Sequence, residues 1–280
     1  KSSFIIFRAY GSPCWVFRIR ENFLAGGATQ KNYSRVWSKV ESLYVSCLRA
    51  CLGVHQSTFN MTVYVISGQM PPDFYLAYRA ATWLYKIIHN KAGEALHKQY
   101  HKLKSNPQAW AKTVFYQPAT AFVKSMEIEN DELLNSVNLQ TFKRSLRNRI
   151  FKQLNKIWNN QTKGAFSRKI HPVWKDQTPE SRTYNKSAST RYHRMSTGKF
   201  KTKTFQNKTN PNEATECRHG CAEDETIDHL LLHCPKYKLQ RNKLLIKLNE
   251  NKIEATTKEI LTNPKILIHA QEFIHAIKID

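Results

Sequence analysis

The chain has 280 residues, of which 41% are hydrophobic and 11% aromatic, enough apolar surface for a core and too much for a disordered chain. Lys and Arg number 44 against 21 Asp and Glu, a net charge of +23. Such an excess repels itself in a compact fold unless an anionic partner screens it; nucleic acid is the commonest such partner and a membrane surface the next. The six cysteines are too sparse for a disulfide scaffold and favour a reducing compartment.

The first part of the chain contains two amphipathic helical patterns. Over residues 36–52 apolar side chains recur every three or four positions, and Gly53 follows as the expected helix end. Cys47 and Cys51 lie on this apolar stripe, so we expect both thiols to be buried. A second pattern covers residues 72–88 and begins with a proline, which is tolerated in a first helical turn.

A basic helix is predicted over residues 142–158. One face carries an apolar seam, and the others carry cations. The cations that we expect to contact nucleic acid are Lys143, Arg144, Arg147, Lys152 and Lys156. Between residues 141 and 212 there are eighteen Lys and Arg against two acidic residues, which makes a net +16. A face that merely solvates a helix normally mixes both signs, so this asymmetry favours a phosphate-binding surface; lysines that only keep the helix soluble are the alternative.

Residues 181–212 are rich in Ser, Thr, Asn and Lys, a composition that predicts a basic linker with one short helix around residues 190–195. Further nucleic-acid contacts are predicted before and within this segment, at Lys163, Arg168, Lys169, Arg191, Tyr192, His193 and Arg194. Tyr192 and His193 lie between two arginines, where aromatic rings can stack on unpaired bases. We therefore expect single strands to be preferred over duplex.

Three cysteines and one histidine follow with the spacing C-x3-C-x7-H-x4-C, at Cys217, Cys221, His229 and Cys234. Thiolates and neutral imidazole are the usual ligands of structural zinc, and four of them leave no open position for catalysis. Gly220 permits a tight turn at the first pair, and Asp224 is the predicted N-cap of a short helix. His233 is an alternative ligand, but we prefer His229 because Cys234 occupies the turn that His233 would use. Packing of these cysteines in an apolar core without metal is the other interpretation.

Catalytic motifs are missing from the sequence. It has no adjacent Asp-Asp pair for a two-metal site, no GxxxxGK[ST] loop and no GxSxG elbow. The last helical patterns cover residues 238–248 and 265–277, and little of the chain alternates as a strand would. We therefore expect a mainly α-helical fold. Because the chain begins with Lys1, we also expect it to be a fragment of a longer protein.

The string CRHGCAEDETIDHLLLHCPKYKLQRNKLL resembles the C-terminal cysteine–histidine module of non-LTR retrotransposon (LINE-like) reverse transcriptases. It matches that family's C…C…(ET)…H…CP…R pattern at Cys217, Cys221, Glu225–Thr226, His229, Cys234–Pro235 and Arg241. An upstream stretch is similar to the family's thumb-side region, at Gly53, Ser57–Thr58, Val65, Gly68 and Pro71. Another is similar to its tryptophan-containing segment, at Trp158, Lys163–Gly164, Pro172 and Trp174.

The resemblance implies a non-catalytic, nucleic-acid-binding end of an RNA-directed DNA polymerase. Its zinc module and basic region would hold the RNA template or the target DNA, inside the cell and in the nucleus, with a cytoplasmic ribonucleoprotein stage. It divides the chain into a thumb-like helical bundle (1–104), a connector with the basic helix (105–180), the basic linker with the CCHC zinc module (181–250) and a C-terminal helical tail (251–280). A zinc-dependent protein-interaction module and a degenerate polymerase or nuclease remnant are the alternatives.

Overall fold

The structure, a computed structural model, describes residues 30–113, 116–126, 138–175, 185–277 and 279. Within these ranges the regular elements are helical and no strand occurs, which confirms the mainly α-helical class. None of the helices described there combines the length and the apolar character needed to cross a bilayer. The segment DELLNSV, residues 131–137, whose sequence is compatible with at most a short helix, lies outside the described residues.

The helices follow one another along the whole described chain. In order they are α1 (Gln30–Leu52), α2 (Asn60–Ser67), α3 (Pro72–Ile88), α4 (Glu94–Lys104), α5 (Pro107–Ala111), α6 (Tyr116–Ser125), α7 (Leu139–Asn159), α8 (Ala165–Ile170), α9 (Lys186–Ser196), α10 (Lys203–Asn207), α11 (Lys238–Glu250), α12 (Thr257–Thr262) and α13 (Leu267–Ala276). Between α10 and α11 lie a π-helical turn, His229–His233, and a 3-10 turn, Pro235–Tyr237. The predicted end at Gly53 and the predicted start at Pro72 are confirmed.

The chain divides into two compact units that are each discontinuous in sequence. Unit 1 lies within residues 1–47 and 70–156, and unit 2 within residues 48–69 and 157–280. These units cut across the four segments predicted from the sequence. In particular, the predicted C-terminal tail shares one apolar core with the cysteine segment, so the two belong to the same unit.

Unit 1 is built on α3, which packs against α4 and α6. The rings of Tyr100 and Tyr116 lie 5.6 Å apart edge to face in its apolar core, beside Leu84. Helix α7 joins through Phe142, whose ring stacks on Tyr85 at 4.7 Å. Such aromatic pairs add about 0.5–1.5 kcal/mol to the stabilisation from buried area alone.

The predicted apolar seam of α7 is confirmed within unit 1. Leu146, Ile150 and Leu154 are completely buried, and a leucine or isoleucine that leaves water contributes about 1.5–3 kcal/mol. The positions follow one another at intervals of four, so one face of the helix is buried and the cationic positions fall on the others. The apolar residues alone therefore determine which face of α7 is buried.

In unit 2, α9 packs against α12 and α13. Ala188, Tyr192 and Met195 repeat at helical spacing and are buried in the apolar core. The short helix predicted around residues 190–195 is therefore confirmed as α9, but this part of residues 181–212 packs into the core and is not an open linker. Its polar composition hid a short apolar stripe whose burial depends on helices more than sixty residues further along the chain.

The two cysteines of α1 are exposed, so their predicted burial is wrong. Cys47 and Cys51 face solvent, whereas Tyr44 and Leu48 are buried. Leu43 precedes Cys47 by one helical turn and is 60% exposed. Apolar residues cover more than one face of α1, and periodicity alone could not select the buried one.

Gly53 joins the end of α1 to α9 inside unit 2. Its φ of +67° lies in the left-handed region, and a Cβ added there would overlap the Thr190 side chain. Its carbonyl oxygen accepts a hydrogen bond of 2.8 Å from Arg194 Nε. A residue without a side chain is therefore required for two reasons, the backbone conformation and the close approach to α9.

We expect Gly53→Ala to lower the free energy of unfolding by more than the roughly 1–2 kcal/mol that a left-handed backbone costs an L-residue, because the added methyl group also displaces Thr190. Chemical denaturation measures this loss. Gly220→Ala is the matched control, since Gly220 also has a left-handed φ, +76°, with no atom within 4 Å of the added Cβ. Equal losses in the two variants would contradict the close contact with α9.

Candidate metal centre and basic residues

Cys217, Cys221, His229 and Cys234 converge in unit 2, with one ligand atom of each within 4.8 Å of the others. The Sγ atom of Cys234 lies 4.0 Å from that of Cys217 and 3.8 Å from that of Cys221. Zn–S bonds of about 2.3 Å in a tetrahedron place two sulfurs about 3.8 Å apart, whereas a disulfide requires about 2.05 Å. The cluster is compatible with a zinc site, and the thiols are not joined to one another.

His229 contributes the fourth ligand atom. Its side chain is 4% exposed, and Nδ1 lies 2.8 Å from Glu223 Oε2. Nε2 is buried without a hydrogen-bond partner, a costly state for a polar atom that has left water. An Nδ1–H that donates to a carboxylate leaves the Nε2 lone pair for a metal and fixes the orientation of the ring. His233, the alternative ligand, is exposed and outside the cluster.

A π-helical turn brings Cys234 back to the cluster. The backbone N–H of Cys234 donates to the carbonyl oxygen of His229 at 2.7 Å, one residue further than an α-helix allows. Thr226 begins the turn, since its Oγ1 accepts from the backbone N–H of His229 at 2.9 Å. The predicted N-cap at Asp224 is wrong, because Asp224 forms an antiparallel bridge with Glu216. Turns of this wide type are frequent at functional sites.

Two buried charged side chains hold the segments that carry the ligands. The Glu225 carboxylate is fully buried and accepts two hydrogen bonds of 2.8 Å from the Arg218 guanidinium, with a third of 3.0 Å from the first backbone N–H of α10. Arg241 donates through Nε to the carbonyl oxygen of Leu231 at 3.0 Å and through Nη2 to that of Cys234. Each charge is thereby paired or multiply hydrogen-bonded, as a buried charge must be.

Burial and the neighbouring sulfurs disfavour the ionisation of Cys221 and Cys234. Burial, with hydrogen bonds to Cys217 and Cys234, raises the pKa of Cys221 to about 12. Burial also raises the pKa of Cys234. Negative charge on neighbouring sulfurs therefore requires a cation at the centre, and metal uptake must release protons.

The predicted cations of α7 all project from the faces beside its buried seam. Arg144, Lys152 and Lys156 are exposed, and Lys143 and Arg147 are half-buried. These five side chains belong to unit 1. The exposed three are the ones that a phosphate backbone could reach without rearrangement of the helix.

Three further predicted cations surround α8 in unit 2. Lys163 and Lys169 are exposed, and Lys169 Nζ lies 3.9 Å from Asp228. The Arg168 guanidinium lies over the Trp158 ring, 5.5 Å from its centroid. Arg168 thus has a packing role, which leaves the two lysines as the exposed charges of this group.

The four residues of α9 that were predicted to contact nucleic acid mainly form interactions within unit 2. Tyr192 is 5% exposed and its hydroxyl donates to the Leu261 carbonyl oxygen at 2.5 Å, so its predicted stacking on a base is wrong. Burial lowers the pKa of His193 to about 4, which leaves that ring neutral at pH 7. Arg191 Nη1 donates to the carbonyl oxygens of His275 and Ile277 at 3.2 and 2.9 Å. Arg194, as described above, donates to the end of α1.

Comparisons with protein families, with curated proteins and with solved structures found no match to this chain. The resemblance to non-LTR reverse transcriptases therefore rests on the residues of the cysteine segment and its two upstream stretches.

Glu223 was missed by sequence reasoning. An acidic residue six positions before a ligating histidine gives no recognisable signal until the turn folds it back onto the ring.

We expect the purified chain to carry about one zinc ion per molecule, measured by elemental analysis. Cys221→Ser with Cys234→Ser should abolish binding, because two of four ligands are removed. Cys47→Ser with Cys51→Ser removes the same number of thiols from the exposed side of α1 and should leave the zinc content unchanged. Full retention of zinc by the first double variant would contradict this site.

Glu223→Gln should weaken zinc binding by about 10–100-fold, the usual effect of losing the carboxylate behind a ligating histidine. Competition with a chromophoric chelator measures the change. Glu216→Gln supplies the control, since it removes the same charge from an exposed residue beside the site. If both variants bind zinc with equal affinity, the Glu223–His229 contact has no influence on the metal.

Proposed function

We propose that this chain is a nucleic-acid-binding, zinc-containing C-terminal part of a non-LTR retrotransposon reverse transcriptase. The observation that carries the proposal is the convergence of Cys217, Cys221, His229 and Cys234, the four ligand positions of the family-like pattern. Its remaining polar positions, Glu225, Thr226 and Arg241, are the residues that bond to the ligand segments. A chance cysteine cluster would give these residues no common role.

The zinc ion in this proposal is structural. Four protein ligands complete a tetrahedron and leave no position for water or substrate. Zinc would fix the turn around Gly220, whose φ is +76°, to the helix-like turn that carries His229. Because Cys217, Leu230 and Leu231 belong to the same apolar core as α11 and α13, the metal would stabilise the whole core of unit 2.

The partner in this proposal is the phosphate backbone of RNA or DNA. A chain with a net charge of +23 attracts a polyanion over a long range, and each neutralised phosphate releases counterions. The exposed cations of α7 in unit 1, together with Lys163 and Lys169 in unit 2, support this proposal. Nuclear activity with a cytoplasmic ribonucleoprotein stage would follow from the same function.

A protein-interaction module is the second candidate, and one observation favours it. Leu239 and Ile246 on α11 are 78% and 56% exposed, and exposed apolar residues commonly mark protein contacts. This candidate predicts no salt-dependent affinity for oligonucleotides. A surviving nuclease activity would instead appear as cleavage that depends on a divalent metal ion.

Reversal of Arg144, Lys152 and Lys156 to Glu should weaken oligonucleotide binding and lower the slope of log affinity against log salt. The slope should fall by about one unit for each phosphate that the variant no longer neutralises. The helix should remain folded because its buried seam is untouched. A salt titration by fluorescence anisotropy measures the slope, and circular dichroism checks the fold.

Reversal of Lys102, Lys112 and Lys124 is the control. These lysines are exposed, lie in unit 1 outside α7, and give the same change of net charge. If the two triple variants have the same salt slope, α7 is only a solvated face. If the unmodified chain has no measurable affinity for oligonucleotides at low salt, the proposed function is wrong.

A further inference from the structure

A cavity of about 300 Å³ lies against α9 in unit 2. Four of its lining residues, Ser187, Thr190, Arg191 and Arg194, are spaced i, i+3, i+4 and i+7, so they form one face of the helix. The buried residues Ala188, Tyr192 and Met195 form another. Lys201 completes the polar lining, and none of the lining residues that the structure describes is acidic.

The two arginines are held in place before any ligand arrives. Arg191 is fixed by its hydrogen bonds to the carbonyl oxygens that follow α13. Arg194 is fixed through Nε to Gly53, which leaves its two Nη groups as the donors that a ligand could use. Side chains fixed in this way lose little conformational entropy when a ligand binds.

The chemistry of the lining selects an anion. Guanidinium, ammonium and hydroxyl groups can all donate hydrogen bonds, and the fork of an arginine matches the oxygens of a phosphate. Phe200 and Ile279 give the cavity an apolar wall, and a nearby apolar wall strengthens charge interactions by lowering the local dielectric constant. Arg194 and Lys201 place two positive charges at the same cavity.

We propose that this cavity binds one phosphate group of a nucleic acid. The identification of nucleic acid as the source of the phosphate rests on the proposed function. The preference for a phosphate group rests on the residues that line the cavity. In this proposal α9 does not stack on bases. Instead, Arg194 and Lys201 bind a single phosphate beside the hydroxyls of Ser187 and Thr190. The site is separate from the metal ligands and from the cations of α7.

The test uses the zinc-loaded chain and Lys201→Glu, with Lys199→Glu as the matched control. Lys199 lies two residues away with its ammonium 5.2 Å from the centroid of the Phe205 ring, and it is not part of the cavity lining. Inorganic phosphate, a 5′-phosphorylated oligonucleotide and its 5′-hydroxyl counterpart are titrated by calorimetry at low salt. Lys201→Gln repeats the test without a new negative charge, and circular dichroism and zinc content verify each fold.

We expect Lys201→Glu to weaken oligonucleotide binding roughly tenfold or more, the loss expected for one charged hydrogen bond, and Lys199→Glu to weaken it much less. Inorganic phosphate should compete with the oligonucleotide in the unmodified chain. A preference for the 5′-phosphorylated oligonucleotide would assign the cavity to a strand end, and equal affinity would assign it to the internal backbone.

Two results would overturn the proposed phosphate site, and a third would separate it from the proposed function. Equal losses in Lys201→Glu and Lys199→Glu, with oligonucleotide binding intact in the unmodified chain, would refute the cavity and leave the proposed function standing. Failure of inorganic phosphate to bind or compete would also refute the cavity. Phosphate binding that depends on Lys201 in a chain without affinity for oligonucleotides would support the cavity and refute the proposed function.

Discussion

The convergence of three sulfurs and one imidazole nitrogen within 4.8 Å is the constraint on which unit 2 depends. Sulfurs 3.8 and 4.0 Å apart are too distant to bond to each other and too close to be negatively charged without a cation. Burial and contact with neighbouring sulfurs oppose the ionisation of Cys221 and Cys234, and a divalent ion would reverse that balance because it binds the thiolate form. The same segment supplies Leu230 and Leu231 to the core, so binding of the proposed zinc ion would be coupled to apolar packing.

The ligands are positioned by polar contacts that lie outside any ligand motif. Glu223 orients the His229 ring, Arg241 binds the carbonyl oxygen of Cys234, and Glu225 joins the first turn to α10. Each contact satisfies a buried donor or acceptor that would otherwise cost about 1–3 kcal/mol. Loss of one such residue would therefore disturb the positions of the ligand side chains without removing a ligand. A pattern of four ligands alone does not specify these positions.

Helical periodicity predicted the long helices well, because α3 and α7 each bury a single continuous stripe. It failed at α1, where apolar residues on two faces left the exposure of Cys47 undecided, and at α9, where only a few apolar side chains are buried. The convergence of Cys217, Cys221, His229 and Cys234 could be predicted from their spacing, since soft ligands at short intervals have few other uses. Glu223 and the α9 cavity could not, because both depend on backbone turns and on contacts between residues far apart in sequence.

Several arginines of unit 2 form hydrogen bonds within the protein, whereas two of its predicted lysine contacts are exposed. Arg191, Arg194, Arg218 and Arg241 each donate to backbone carbonyl oxygens, which the five donors of a planar guanidinium suit. Lys163 and Lys169 instead remain exposed, where a hydrated ammonium acts as a point charge. A hydrogen bond to a neutral carbonyl oxygen leaves the guanidinium charged, so these arginines still add to the long-range field of the protein while fewer of their donors are available for direct contact with a ligand. If the proposed nucleic-acid binding occurs, lysine contacts of this kind would bind phosphates rather than base edges, so the affinity would depend on salt and little on sequence.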